Sequence, residues 1–124
     1  MARLIRSLVV GSLLVVASVS LSSCGTGGAV ADARLSCQSV NRALVLEAQS
    51  RQPGLTTARR AQLQARALSQ LLKATPSAAA ATSIDGSWNA LMTTIGEAER
   101  VPIPELIPAL RRLCNVANSS TPYL

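Results

Sequence analysis

At 124 residues and 48% hydrophobic content the chain is too apolar to stay disordered, and it has room for a single domain of about a hundred residues. Its apolar residues are Ala, Leu, Val and Ile with one Trp, one Tyr and no Phe, so the core is aliphatic; having no His, the chain lacks the commonest general base and metal ligand, which argues against catalysis, a metal or a haem. The net charge of +6 rests on 11 Arg and one Lys against six acids and points to an anionic neighbour.

In chain order, Arg3 and Arg6 come first, followed from Leu8 to Leu21 by an uncharged, aliphatic stretch of about 14 residues. That is the layout of a secretory signal, and it falls short of the roughly 20 residues a helix needs to cross a bilayer. The stretch ends in Leu21-Ser22-Ser23-Cys24, with Gly25 next. An aliphatic residue, two small residues and a cysteine resemble the lipobox of bacterial lipoproteins, and the resemblance covers the signal region alone. It implies removal of residues 1–23, a diacylglyceryl group on the thiol of Cys24, acylation of the new amino group, and a chain held outside the cytoplasm on the bacterial cell membrane. Each buried methylene adds roughly 0.8 kcal/mol, so two or three acyl chains anchor lastingly where one binds reversibly. The competing reading is ordinary secretory cleavage after Ala17 or Ser23, which leaves Cys24 as a free thiol. Residues 24–29 read as a flexible Gly-rich tether with a reach of roughly 20 Å.

The bundle itself is expected over residues 30–118. Val30, Ala33, Cys37, Val40 and Leu44 alternate in steps of three and four, which predicts a helix ending near Arg51. Pro53-Gly54 breaks the chain, and Thr56 or Thr57 caps a second helix with Ala61, Ala65, Leu68 and Leu72 as its inward stripe, Leu71 beside it. That helix should stop near Ala74, because Thr75-Pro76 combines a capping hydroxyl with proline at a first helical position. Ser77, Ala81, Ile84, Trp88, Leu91, Ile95 and Ala98 keep one heptad register across Asp85-Gly86, and this predicts a single helix to about Arg100. Val101 to Pro104 read as an extended connector. A last helix carries Leu106, Ile107, Leu110, Leu113 and Cys114 inward, with Pro108 placed in its first turn. Residues 119–124 read as a frayed tail.

Four amphipathic helices with short connections predict an all-α, up-down-up-down bundle. In that arrangement the first and last helices are antiparallel neighbours, and Cys37 and Cys114 stand at similar heights on facing stripes. With Cys24 given to lipid, these two remain as a pair for a disulfide, which an oxidising compartment favours. Closing so long a loop contributes roughly 4 to 5 kcal/mol in the chain-entropy account.

Arg59, Arg66 and Lys73 recur every seven residues with Arg60 beside them, and no acid lies between Leu55 and Thr75. That is a basic stripe about 21 Å long, suited to anionic lipid, an acidic wall polymer or an envelope protein, and equally to a plain solvated face. Nucleic acid is a poor partner, because export removes the opportunity and no aromatic residues interleave the charges. Trp88 reads first as a packing residue; with Leu91 and Met92 it is also a candidate wall for an apolar ligand. Glu97 and Glu99 point in different directions on a helix, no Ser or Thr has an activating base, and no catalytic residue or cofactor is expected. The early and late cysteines also give the chain the look of small helical lipoproteins and haemophore-related secreted proteins of actinobacteria. The haem function of the latter does not carry over, since His is absent and Tyr123 and Met92 make no ligand set.

Overall fold

A computed structural model describes residues 26–122; the signal segment, Cys24 and the end of the tail, Tyr123 included, lie outside them. Helix α1 (Thr26–Ser50) buries Val30, Ala33, Cys37, Val40 and Leu44, as the spacing predicts. It also buries Ala29, Ser36, Ala43, Glu47 and Ser50, a broader face than one stripe. The breadth has a cause: α1 packs against the next two helices and against the last one. Small side chains at Ala29, Ala33, Ser36 and Ala43 let those neighbours approach. The helix starts inside the expected tether, since Thr26 to Ala29 are already helical and Ala29 is fully buried.

Gly54, at φ +82°, turns the chain between α1 and α2. Helix α2 (Thr57–Leu72) opens with Thr56, whose hydroxyl accepts the Arg59 N–H at 3.1 Å, the expected cap. Its buried residues are Leu63, Ala67 and Leu71, continued by Ala74. The predicted inward stripe is therefore corrected: Ala61 and Ala65 are exposed, and Leu68 and Leu72 are half-buried on the flank. Arg60 donates to the Ser50 carbonyl at 3.2 Å, and Ser36 Oγ to the Ala74 carbonyl at 3.1 Å. These two bonds fix α2 antiparallel to α1.

Helix α3 (Thr75–Ile84) follows at once, with Pro76 in its first turn. A β-carbon placed on Gly28 would lie 3.6 Å from Ile84 Cδ1, so α3 goes on down α1 toward its first residues. The reversal comes at Asp85, which is extended at φ −139° and ψ 109° and whose carboxylate accepts the Ser87 N–H at 3.0 Å. A 3-10 turn (Gly86–Trp88) leads into α4 (Asn89–Glu97). The single helix expected to Arg100 is thus two helices, and Ile84, assigned to its inner stripe, is 46% exposed. Asp85 and Gly86 break it because the aspartate side chain offers the backbone a local partner that a continuous helix does not.

Helix α5 (Ile103–Asn118) begins earlier than expected, and the extended connector ends at Pro102 rather than Pro104. Pro104 sits at a position whose N–H has no helical partner, so proline costs nothing there. Pro108 is in the second turn, not the first. Without an N–H it cannot donate to the carbonyl of Pro104, four residues earlier. Leu106, Leu110, Leu113 and Cys114 are buried as expected, joined by Ile103 and Ala117, while Ile107 is half-buried. Cys37 and Cys114 form a disulfide with Cα atoms 5.5 Å apart, inside the range such a bridge requires. Arg34 donates to the carbonyls of Ala117 at 2.7 Å and Ser119 at 3.2 Å, so the tail is held at its first residue. Both arginine contacts, Arg34 on α5 and Arg60 on α1, give orphaned helix-end carbonyls a cationic donor. The described residues are all helix, turn or loop, with no strand among them.

Candidate functional site

The basic stripe survives as a surface feature. Arg59, Arg60, Arg66 and Lys73 are all exposed; Arg66 and Lys73 lie on a flank of α2 away from Leu63, Ala67 and Leu71, whereas Arg60, seven residues before Ala67, lies on the α1 side. They are not equivalent. Arg59 is engaged with Gln62 Oε1 at 2.7 Å and Arg60 with the Ser50 carbonyl, whereas Arg66 and Lys73 have no ion pair or hydrogen-bonded partner among the described residues. Antiparallel pairing of α2 with α1 brings Lys73 level with Cys37 and Arg59 level with Arg51. At 1.5 Å per residue, Lys73 stands about 17 Å and Arg59 about 37 Å along the axis from Thr26. The stripe therefore runs along the bundle and not across the end from which the N-terminal segment leaves.

Trp88 and Leu91 are core residues, 1% and 0% exposed, and Met92 packs against the same core half-buried. None of Trp88, Leu91 and Met92 lines any of the clefts at Glu47, at Lys73 or at Asn41. The indole N–H of Trp88 is buried with no hydrogen-bond partner. Leaving such a donor unpaired costs about 1–3 kcal/mol, which the indole's burial offsets.

A cleft of about 290 Å³ opens where α1, α2 and the α4–α5 connection meet. Its walls are apolar, with Leu68 from α2, Ala98 and Val101 beyond α4, and Ile103 at the start of α5; Pro102 and Pro104 complete the rim. Two polar side chains reach it, Glu47 from α1 and the exposed Gln64 from α2. Glu47 is 3% exposed, the one buried carboxylate among the described residues. Its Oε1 lies 3.4 Å from Nε of the half-exposed Arg51, longer than a good N–H···O bond, and its Oε2 accepts no hydrogen bond from another described residue. The carboxylate thus has one long contact to a half-exposed cation, and its Oε2 keeps access to solvent through the cleft. Glu47 was legible as an anomaly: Ala33, Val40 and Glu47 are seven apart, which places an acid on a buried stripe.

A shallower cleft shares Leu68 and runs past Ala65, Leu72 and Lys73, so the half-buried apolar flank of α2 borders it. Another lies between α1 and α5 beside Asn41, Arg111 and Asn115. Arg111 and Arg112 add a second exposed basic site that heptad spacing on α2 did not suggest. Among the described residues no group of His, Cys, Asp and Glu is placed to hold a metal ion, and no helix is long and apolar enough to cross a membrane. Compared with protein-family models, with curated proteins and with solved structures, the chain matches none of them.

Proposed function

We propose that the chain is a non-catalytic bacterial lipoprotein, anchored outside the cytoplasm through lipid on Cys24, whose bundle acts as an envelope interaction module. The pairing of Cys37 with Cys114 carries this reading: it fits an oxidising compartment and takes two of three cysteines, leaving Cys24 as the odd one that a lipobox would modify. Helix α1 beginning at Thr26 shortens the tether to Cys24 and Gly25, so the bundle stands close to its anchor. The contacts support an up-down-up-down arrangement of four rods in which α2 and α3 together make the second. Arg60, Ala74 and Ile84 meet Ser50, Ser36 and Gly28 in turn, Ala98 returns to the level of Glu47, and Cys114 descends again to Cys37.

In that orientation the free cations Arg66 and Lys73, with Arg59, face sideways above the head groups. An anionic polymer or acidic protein surface beyond the bilayer suits them better than lipid does. Intact mass of the protein from a membrane fraction, before and after reduction, tests the anchor. The expected species lacks residues 1–23, carries acyl chains on Cys24, and gains two hydrogens on reduction. An unlipidated Cys24 thiol refutes the reading. For the partner, polyglutamate is expected to bind at low salt more tightly than phosphatidylglycerol vesicles do, and Arg66→Gln with Lys73→Gln to weaken it by about thirtyfold. Each cation removed near an anionic surface is worth about 1 kcal/mol.

A further inference from the structure

The cleft over Glu47 has the composition of a small-ligand site, and its chemistry specifies the charge of the ligand. Its apolar walls offer an alkyl or aryl group a dry surface, while its polar side chains are the Glu47 carboxylate, an acceptor, and the Gln64 amide, which can accept as well as donate. A volume of about 290 Å³ lies at the lower edge of the range of ligand pockets, which fits a molecule smaller than a drug. A buried carboxylate whose one ion pair among the described residues is 3.4 Å long, to a cation half in solvent, gains most from a second cation that carries several N–H donors. We infer that this cleft binds a small primary alkylammonium ion, its charged head on Glu47 Oε2 and its hydrocarbon part against Leu68, Ala98, Val101 and Ile103. The inference is independent of the lipid anchor and of the basic flank, and it places a ligand away from Trp88. An ordinary apolar molecule would leave the carboxylate as uncompensated as before, and an anion would be repelled.

The test is a titration of the full-length chain, solubilised in detergent, with n-butylammonium chloride and separately with 1-butanol, its neutral isostere. Methyl resonances of Leu68, Ala98, Val101 and Ile103 report the site. Saturable shifts confined to these methyls are expected with the ammonium, and binding at least tenfold weaker with the alcohol. Glu47→Gln keeps the shape and removes the charge, and should weaken binding at least tenfold. Because a change at a buried position can disturb folding, a second variant is made at the exposed rim. Gln64→Lys sets a tethered ammonium across from Glu47 and should abolish the response to n-butylammonium while leaving the fold intact by circular dichroism. Equal affinity for amine and alcohol, undiminished binding in the folded Glu47→Gln or Gln64→Lys protein, or the absence of saturable shifts would each overturn the proposal.

Discussion

At Ala74–Pro76 and again at Asp85–Gly86 the helical chain is interrupted, and the two interruptions lead it in opposite directions. At the first, Pro76 deprives the Leu72 carbonyl of its donor, yet α3 stays on the surface of α1 that α2 was following. The Ala74 carbonyl accepts from Ala78 N–H at 3.0 Å, Ser77 Oγ at 3.3 Å and Ser36 Oγ at 3.1 Å, so the neighbouring helix takes part in holding the junction. At the second, no residue of α1 intervenes by hydrogen bond. Asp85 turns the backbone with its own carboxylate, and Trp88, three residues on, plugs the core as α4 departs. A break bridged by a packed neighbour is a joint in one rod; a break closed by its own side chain is a corner.

The largest consequence of that contrast falls on Trp88. If the corner is anchored in the core, Trp88→Ala should cost about 3–5 kcal/mol in urea or thermal unfolding. The lower end is expected, because the truncation also removes an unpaired indole N–H. A loss under about 1 kcal/mol would mean that the corner stands on its local cap alone, and the contrast would collapse. At the joint, Ser36→Ala should cost about 1 kcal/mol, the ordinary worth of one buried hydrogen bond, with Ala74 still satisfied by two other donors. No change in stability would show that packing alone keeps α3 in line.

These two sites also show how much of the molecule was legible. Heptad spacing located Ala81, Trp88, Leu91, Ile95 and Ala98 on the core face, and all five are buried. It failed to show that the chain turns among them, because α3 and α4 border one core and a corner preserves inwardness as well as a straight helix does. Ile84, at the corner, is exposed, and Ser77, near the start of α3, is half-buried. On α2 the ambiguity was compositional: Ala61, Ala65, Leu68 and Leu72 offer two alanines and two leucines at helical spacing, and so do Leu63, Ala67, Leu71 and Ala74. Choosing between them requires knowing where α1 lies. The cysteine pair and the Thr56 cap were readable because each rests on a chemistry that few other residues supply. The cleft was not, for its walls come from α1, α2 and the α4–α5 connection, and the last returns to the first two only through the corner at Asp85; the acid on the stripe of Ala33 and Val40 was its single trace.

Gly86 separates corner from joint in another way. Its φ is not in the left-handed region, and nothing lies within 4 Å of where a β-carbon would sit. The corner therefore needs Asp85 and not the freedom of glycine. Gly86→Ala should stabilise the protein by about 0.4–1 kcal/mol, through the lost entropy of the unfolded chain. Destabilisation in the same assay would mean that glycine's freedom, rather than the aspartate, sets the turn.

The smallest effect is the most local. The backbone N–H of Ser87, and then its hydroxyl, donate to the Asp85 carboxylate and hold its pKa below the ordinary value of 3.8. A depressed acid stabilises the fold fully above its unfolded pKa and loses that contribution as pH falls through the folded one. The corner should thus be intact at any pH above about 4 and loosen only in stronger acid. Because Asp85 is solvated, global stability will barely register the change, and the amide resonance of Ser87 is the probe to follow. Its shift should titrate with a midpoint below 3.8 and should not titrate in Asp85→Asn, where the amide oxygen still caps the turn but carries no charge. A midpoint at or above 3.8 would show that the carboxylate is not the acceptor that turns the chain. The corner would then owe its shape to Trp88 alone, held from within the core as the joint at Ala74 is held from across it.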